Sequence, residues 1–353
     1  MKDWCPYMMM MVLQLGLGTG DIVSKGALEG GMSYHVFVVY RHAVTTLILS
    51  PLAFFLERKT RPPLTRPIFF KLCLLALCGY TVAQNAYFAG LFYSSPTVTS
   101  AMNNLCPAIT FILAIIFRME KVNTKTHRGQ AKVLGTLICL GGAMTFIFYK
   151  GYLFPPLKDS SIDIHGLNSH SGATHAKSDW VKGSSFVILA MLCWSVFLIL
   201  LTSLCKDYPA PLSMNAWIFC FVVIQSAAVA VIFERTASPW ALDWDLKLLA
   251  YVYNGVLVSA IGYSLQTWCI SKKGPVFVAL FFPLQLIIAA ILSALILRER
   301  LHLGSVIGAC LIILGFYCVT WGKSKDHKDQ ELDERNQTRD EEKDLNKNVG
   351  VSP

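Results

Sequence analysis

The chain of 353 residues is 54% hydrophobic and only 15% charged, with a mean hydropathy of +0.50. Soluble globular chains carry about 25% charge, so a pair of soluble domains, the usual reading of this length, is excluded. The formal charge of +9 needs no nucleic-acid partner, because basic residues flanking apolar segments set membrane topology instead.

A membrane-spanning helix needs about 20 mostly apolar residues. Residues 1–6 form a short lead. The first span, 7–26, contains Asp21 and Lys25, and spans follow at 34–56, 69–91, 95–117 and 131–149. Residues 150–183 are a long loop rich in Gly, Ser, Asp and His. Five more spans cover 184–204, 212–233, 248–269, 276–297 and 303–321. Residues 323–353 are a charged tail expected to be disordered. The expected fold is all-α, an integral membrane bundle of ten transmembrane helices, since lipid leaves no partner for unpaired backbone groups. The odd count of 11 cysteines shows no C-x-x-C pair, and most lie in apolar runs as small filler, which argues against zinc and redox chemistry. The first apolar run is long, interrupted by polar residues and without an A-x-A site, so no cleavable signal peptide is expected.

Orientation follows from Lys and Arg. Arg58, Lys59, Arg61, Arg66 and Lys71 lie between spans 2 and 3, and Arg118, Lys121, Lys125, Arg128 and Lys132 between spans 4 and 5. Loops 1–2 and 3–4 have none apart from Lys25. Positive residues stay inside, which places both termini in the cytosol and leaves the Asn336-Gln337-Thr338 sequon unglycosylated. The second half is less polarised, with Arg235, Lys247, Arg298 and Arg300 outside.

The halves resemble each other. Glu57-Arg58 matches Glu234-Arg235 at an offset of 177, and Lys71-Leu72, Gly79 and Tyr87 match Lys247-Leu248, Gly255 and Tyr263 at 176. Pro96 and Glu120 match Pro275 and Glu299 at 179; Val133, Gly135 and Gly142 match Val306, Gly308 and Gly315 at 173. Repeats of five helices must enter the membrane in opposite directions. The expected plan is therefore an inverted repeat of 7–149 and 184–322, the plan of alternating-access transporters.

The segments Val39-Tyr40-Arg41, Ser50-Pro51-Leu52-Ala53-Phe54, SPTVTSAMNNLCPAITF (95–111), Glu120-Lys121-Val122 and the run from Lys273 to Ala279 resemble the EamA branch of the drug/metabolite transporter superfamily. Within it they are similar to the plant nodulin-type, walls-are-thin-related group, also called UMAMIT transporters. The resemblance implies two five-helix EamA units, proton-linked or facilitative movement of amino acids, auxin-like acids for some members, and a plasma-membrane or vacuolar home. The chain departs from the pattern at Asp21, where an uncharged residue is commoner, and at Phe281-Phe282, where a Tyr is usual.

Intramembrane polar residues tend to face the bundle interior or a cavity. The candidate substrate-binding residues are Arg41, Gln84, Asn85, Asn103, Asn104, Tyr263, Gln266 and Gln285. An amide can meet both the carboxylate and the amino group of an amino acid; its bland alternative is an interhelical hydrogen bond. Pro107 and Pro283 kink helices 4 and 9 near the substrate or merely curve them. Trp194 and Trp268 wall the cavity or anchor at the interface. Gly16, Gly20, Gly135, Gly142, Gly308 and Gly315 have the spacing of close helix contacts. Glu57-Arg58 and Glu120-Lys121 read as solvated anchors at helix ends.

His165, His170 and His175 are five apart, which suits no metal site, and no metal or cofactor is expected. No H-E-x-x-H, paired intramembrane carboxylate, nucleophile motif or ATP-binding loop is present, so an enzyme or ATP-driven pump is disfavoured. Asp21 and Arg41 sit at matching depths, roughly 9–10 Å below the outer surface, so an ion pair is expected there. The alternatives are that Asp21 couples transport to protons or snorkels to the surface. Expected partners are a small-molecule substrate and the lipid bilayer; a homo-oligomer is compatible with the sequence. An exporter of auxin-like or other organic acids is the competing substrate reading.

Overall fold

A computed structural model of the chain describes residues 4–29, 32–93, 105–119, 126–149, 180–235, 240–241, 245–296, 303–304 and 306–322. All regular structure among them is helical. In chain order the helices are α1 (Cys5–Glu29) and α2 (Tyr34–Glu57), then α3, which is α-helical over Arg66–Ala76 and Ala83–Tyr93 around a π-helical stretch, Leu77–Val82. α4 (Cys106–Ile116), α5 (His127–Phe148), α6 (Trp180–Asp207) and α7 (Pro211–Phe233) follow. α8 joins Leu246–Tyr253 to Tyr263–Lys273 through a second π-helical stretch, Asn254–Gly262. α9 is broken between Pro275–Ala279 and Phe282–Ile296, and α10 covers Val306–Gly322. Pro96, Asn103, Asn104, Glu120, Glu299, the loop histidines, the sequon and the charged tail lie outside the described residues, as do the side chains of Asp21 and Lys25.

Among the described residues, five helices are long and apolar enough to cross a bilayer: Tyr34–Glu57, Arg66–Tyr87, Val181–Asp207, Pro211–Phe233 and Lys247–Lys273. Their outward residues are large and apolar: Leu47, Phe55, Phe70 and Phe233 are each at least 65% exposed. Water would penalise such a belt, whereas lipid tails cover it at no cost.

Local chemistry sets the helix ends. Asp245 accepts from the backbone N–H groups of Lys247 and Leu248 at the start of α8, and Thr126 accepts from that of Gly129 at the start of α5, both N-caps. Pro211 and Pro275 occupy first-turn positions where no N–H is needed. Gly274 turns the chain from α8 to α9 with φ 82° and ψ 174°, a region essentially closed to residues with a Cβ. The break in α9 falls at Leu280 and Phe281, just before Pro283, whose ring clashes with a carbonyl one turn back.

The helices pair antiparallel across the two halves. α2 and α7 touch from His35–Phe233 at one end, through His42–Phe219, to Glu57 at the other. α1 lies along α8, with Pro6 at Cys269, Leu13 at Gly262 and Ser24 at Asn254. α3 lies along α6, with Lys71 bonded to Asp207 at 2.5 Å and Gly79 against Phe197. The interfaces come in matched sets: α1 meets α8 and α9 as α6 meets α3 and α4, while α2–α7 and α4–α9 each join a helix to its counterpart. The fifth helices cross at glycine, where a Cβ on Gly142 would come within 3.0 Å of the Gly308 oxygen, and one on Gly315 within 2.6 Å of the Gly135 oxygen.

Three readings from sequence change here. Glu57 is 9% exposed, not a solvated anchor. Its oxygens accept from the N–H groups of Leu212 at 3.0 Å and Ser213 at 2.6 Å, because a helix N-terminus offers unsatisfied donors and partial positive charge. At the opposite end the counterpart, Glu234, accepts from Ser33 Oγ, just before α2, at 2.5 Å. Lys132, counted with the loop cations, lies inside α5 and is buried. Gly16 faces open space, whereas Gly20 packs against Val258 and Asn254. Glu57→Ala therefore costs about 1–2 kcal/mol of stability, read as a lower melting midpoint in detergent. An unchanged midpoint would remove the capping role.

Candidate functional site

The two halves meet at a buried aromatic and polar centre built by α2, α3, α6, α7, α8 and α9. Tyr80 of α3 is its hub. Its ring meets His42 at 5.5 Å, Phe197 at 5.4 Å, Tyr263 at 5.5 Å and Trp194 at 5.8 Å edge-on, and Phe219 at 5.3 Å. These arrangements suit ring quadrupoles. Trp194 also reaches Phe282, so it walls the centre rather than anchoring at the interface.

Arg41 and His42 lie one turn below Val38 on α2. Arg41 Nη2 is 3.3 Å from His42 Nε2, and its guanidinium carbon is 5.7 Å from the Phe37 ring centre. Arg41 Nε is buried with no hydrogen-bond partner. Towards the end of α2 that carries Tyr34, a crevice between α2, α3 and α7 is lined by Tyr34, His35, Val38, Tyr80, Gln84, Asn85, Ser226 and Val229. It has room for about one water molecule. The Tyr34 hydroxyl donates to Gln84 Oε1 at 3.4 Å, and Asn85 Nδ2 donates to the Thr81 oxygen one turn back at 2.6 Å.

The π-helical stretches hold this centre in place. A π turn shifts the backbone register and offers a carbonyl beyond its own helix. The Gly255 oxygen accepts from Thr45 of α2 at 3.0 Å, and the Cys73 oxygen, below the α3 stretch, accepts from Gln225 of α7 at 3.4 Å. A Cβ at Gly255 would stand 2.9 Å from the Arg41 oxygen, so α8 approaches α2 closely beside Arg41. Asn215 of α7 donates to the Tyr263 oxygen at 3.3 Å and accepts from Thr267 at 3.0 Å.

The structure thus brings Arg41, Gln84, Asn85 and Tyr263 to one region. Gln266 is 2% exposed on α8, and its Oε1 has no partner. Gln285 is half-buried on α9. Asn103, Asn104 and the Asp21 side chain lie outside the described residues, so the Asp21–Arg41 pairing does too. Sequence reasoning missed His42, Tyr80, Asn215 and Gln14. Gln14 and Asn215 carried the signal used for Asn85, an amide inside an apolar run. His42 was visible as a second polar ring beside Arg41. Tyr80 had no signal separating it from an interfacial tyrosine. Gln14 is fully buried, and neither its Nε2 nor its Oε1 has a partner. Such orphans cost about 1–3 kcal/mol each. The groups of His, Cys, Asp and Glu among the described residues form no cluster that could hold a metal ion.

Comparison with known proteins agrees with this architecture. Residues 5–148 and 181–321 match the EamA-like transporter family. WAT1-related protein At2g39510 of Arabidopsis thaliana is 46% identical over 327 residues, covering 92% of this chain and 87% of that protein. WAT1-related protein At5g07050 of the same plant is 40% identical, covering 92% and 82%. A solved crystal structure with 14% identity shares the fold at a TM-score of 0.66, covering 90% of this chain and 97% of that one. The chain belongs to the EamA-like transporter family, among the plant WAT1-related proteins, and is a multi-pass membrane transporter of small solutes rather than an enzyme.

Proposed function

We propose that this transporter moves amino acids by alternating access between two inverted five-helix halves, residues 7–149 and 184–322, in a ten-span bundle. The observation that carries the substrate reading is the Arg41 guanidinium. It is half-buried in the bundle with a free Nε, and Tyr34, Gln84 and Asn85 offer hydroxyl and amide groups in the crevice that Tyr80 shares with His42. A fork of N–H donors fits a carboxylate, and the amide oxygens suit an amino group. The inverted plan is supported by the reciprocal contacts: the acidic end of α2 meets the start of α7 while the acidic end of α7 meets the residue before α2, and Gly142–Gly308 mirrors Gly135–Gly315. Such swapped pairs are what a two-fold axis produces. The unpartnered amide of Gln14 and the Gln266 oxygen are groups to which an exchange of conformations between the halves would offer partners.

Uptake and efflux of a panel of labelled amino acids in a transport-deficient host, at two pH values, tests the reading. Flux above the empty-vector control is expected, and its absence for every amino acid overturns the substrate class. A second reading, transport of aromatic organic acids, draws on the ring shell of Tyr80, Phe219, Tyr263 and Trp194, which suits a flat apolar body behind a carboxylate. Asp21 is one of two rival candidates for the proton-coupling group, His42 being the other, and Asn103 and Asn104 remain proposed pathway residues. The proposed home is the plasma membrane, with the vacuolar membrane as the alternative and both termini cytosolic.

A further inference from the structure

His42 is fully buried, and both its ring nitrogens are engaged. Nδ1 lies 2.8 Å from the Val38 oxygen, which can only accept, so Nδ1 carries the proton. Nε2 lies 3.3 Å from Arg41 Nη2, which can only donate, so Nε2 presents its lone pair. The geometry therefore holds one neutral tautomer. Protonation of Nε2 would remove the acceptor from Arg41 and set two cations side by side in a low-dielectric interior, where their repulsion is large. The other elements packed on the ring offer no relief: α3 contributes Tyr80 edge-on at 5.5 Å and α7 stacks Phe219 at 5.4 Å. α8 contributes Tyr263, which packs against both of those rings. Among the described residues no carboxylate bonds to Arg41 or His42.

Arg41 Nε and Nη2 share one edge of the guanidinium, and a carboxylate takes that edge with two parallel bonds. Nε is free, whereas Nη2 is held by His42. A carboxylate seated there competes with His42 for Nη2 and cancels the neighbouring charge. We infer that substrate carboxylate and proton load together: the carboxylate takes Arg41 from His42, and the freed Nε2 lone pair accepts one proton from water. Counting Arg41, His42 and the carboxylate, the centre carries one net positive charge before and after loading, so an acid with no other charge adds none to the membrane interior; the ammonium of an amino acid is a further charge, left to the amide oxygens of Gln84 and Asn85. Departure of the carboxylate returns Arg41 to Nε2 and expels the proton. One proton thus travels with each carboxylate-bearing substrate, and His42, not Asp21, is the group that carries it. The inference rests on the carboxylate reading of the Arg41 site.

Two measurements on the full-length protein test it. In bilayers, 15N-histidine NMR follows the His42 signal, assigned by its loss in His42→Gln, from pH 7.5 to pH 5. The wild type should keep the neutral Nδ1–H form throughout, while Arg41→Gln should develop the imidazolium signal. A neutral His42 in Arg41→Gln, or an imidazolium in the unliganded wild type, overturns the charge antagonism. In weakly buffered detergent, glutamine and indole-3-acetate are added separately while an indicator dye reads proton uptake and calorimetry reads binding. About one proton per molecule bound is expected in the wild type and in Asp21→Asn, and none in His42→Gln that still binds. Binding without proton uptake, uptake that survives in His42→Gln, or uptake lost only in Asp21→Asn overturns the proposal. If neither probe binds the wild type while the NMR shift is present, the carboxylate reading fails and takes the coupling with it, although the Arg41–His42 antagonism stands.

Discussion

Gly142→Val and Gly308→Val should leave almost no folded protein in detergent, whereas Gly141→Val, one residue away, should leave it intact. A Cβ at Gly142 would stand 2.8 Å from Ile312 N and 3.0 Å from the Gly308 oxygen, and one at Gly308 would stand 2.6 Å from the Gly142 oxygen and from Phe146 Cα. These are backbone atoms of facing helices, so no rotamer change relieves the contact; α5 and α10 have to move apart. Association of helices in lipid depends on such close approach, because lipid tails are as apolar as the side chains they would replace. The penalty exceeds the usual 1–3 kcal/mol or so of overpacking, against a total stability on the order of 5–15 kcal/mol. Gly141 has nothing within 4 Å, so its valine controls for helix propensity and expression. Size-exclusion profiles and melting midpoints of the three variants decide the matter. A native midpoint for Gly142→Val would show that the crossing is looser than described.

Arg41→Gln should lower transport by about 10²–10³-fold while the amount of protein in the membrane stays near normal. A charge-assisted, two-bond contact to a carboxylate is worth about 3–4 kcal/mol when water is excluded, and each 1.4 kcal/mol or so is tenfold. Folding should tolerate the change. Nε is already without a partner, and removing a half-buried cation from hydrocarbon relieves a desolvation cost. Arg41→Lys should recover only part of the loss, because an ammonium keeps the charge and loses the planar fork. Initial rates of labelled substrate, normalised to membrane protein, read the result. Equal rates for Arg41→Gln and the wild type would take Arg41 out of the pathway, and with it the substrate class proposed above.

The sequence by itself determined the membrane-embedded helical class, the approximate ends of the helices and the family. Each rests on local information: about twenty apolar residues in a row define a span whatever surrounds them, and caps such as Thr126 and Asp245 act within one turn. The recurring offsets that pair Gly135 with Gly308 and Gly142 with Gly315 also marked the residues at the α5–α10 crossing, although not which faces which. What only the tertiary structure decided is the rotation of each helix about its axis. In a soluble protein the polar face of a helix reveals that rotation. Here the lipid-facing side is as apolar as the core, so the periodicity is nearly erased. Glu57 could therefore be read as solvated until α7 was seen to start against it. Asn85, read from sequence as a pathway amide, was seen to line the crevice only once α2 and α7 stood beside α3. Tyr80 and His42 became a centre only when α3, α7 and α8 closed around α2. Close packing at glycines and side-chain bonds to the backbone carbonyls of facing helices fix those rotations, and both join residues far apart in the chain.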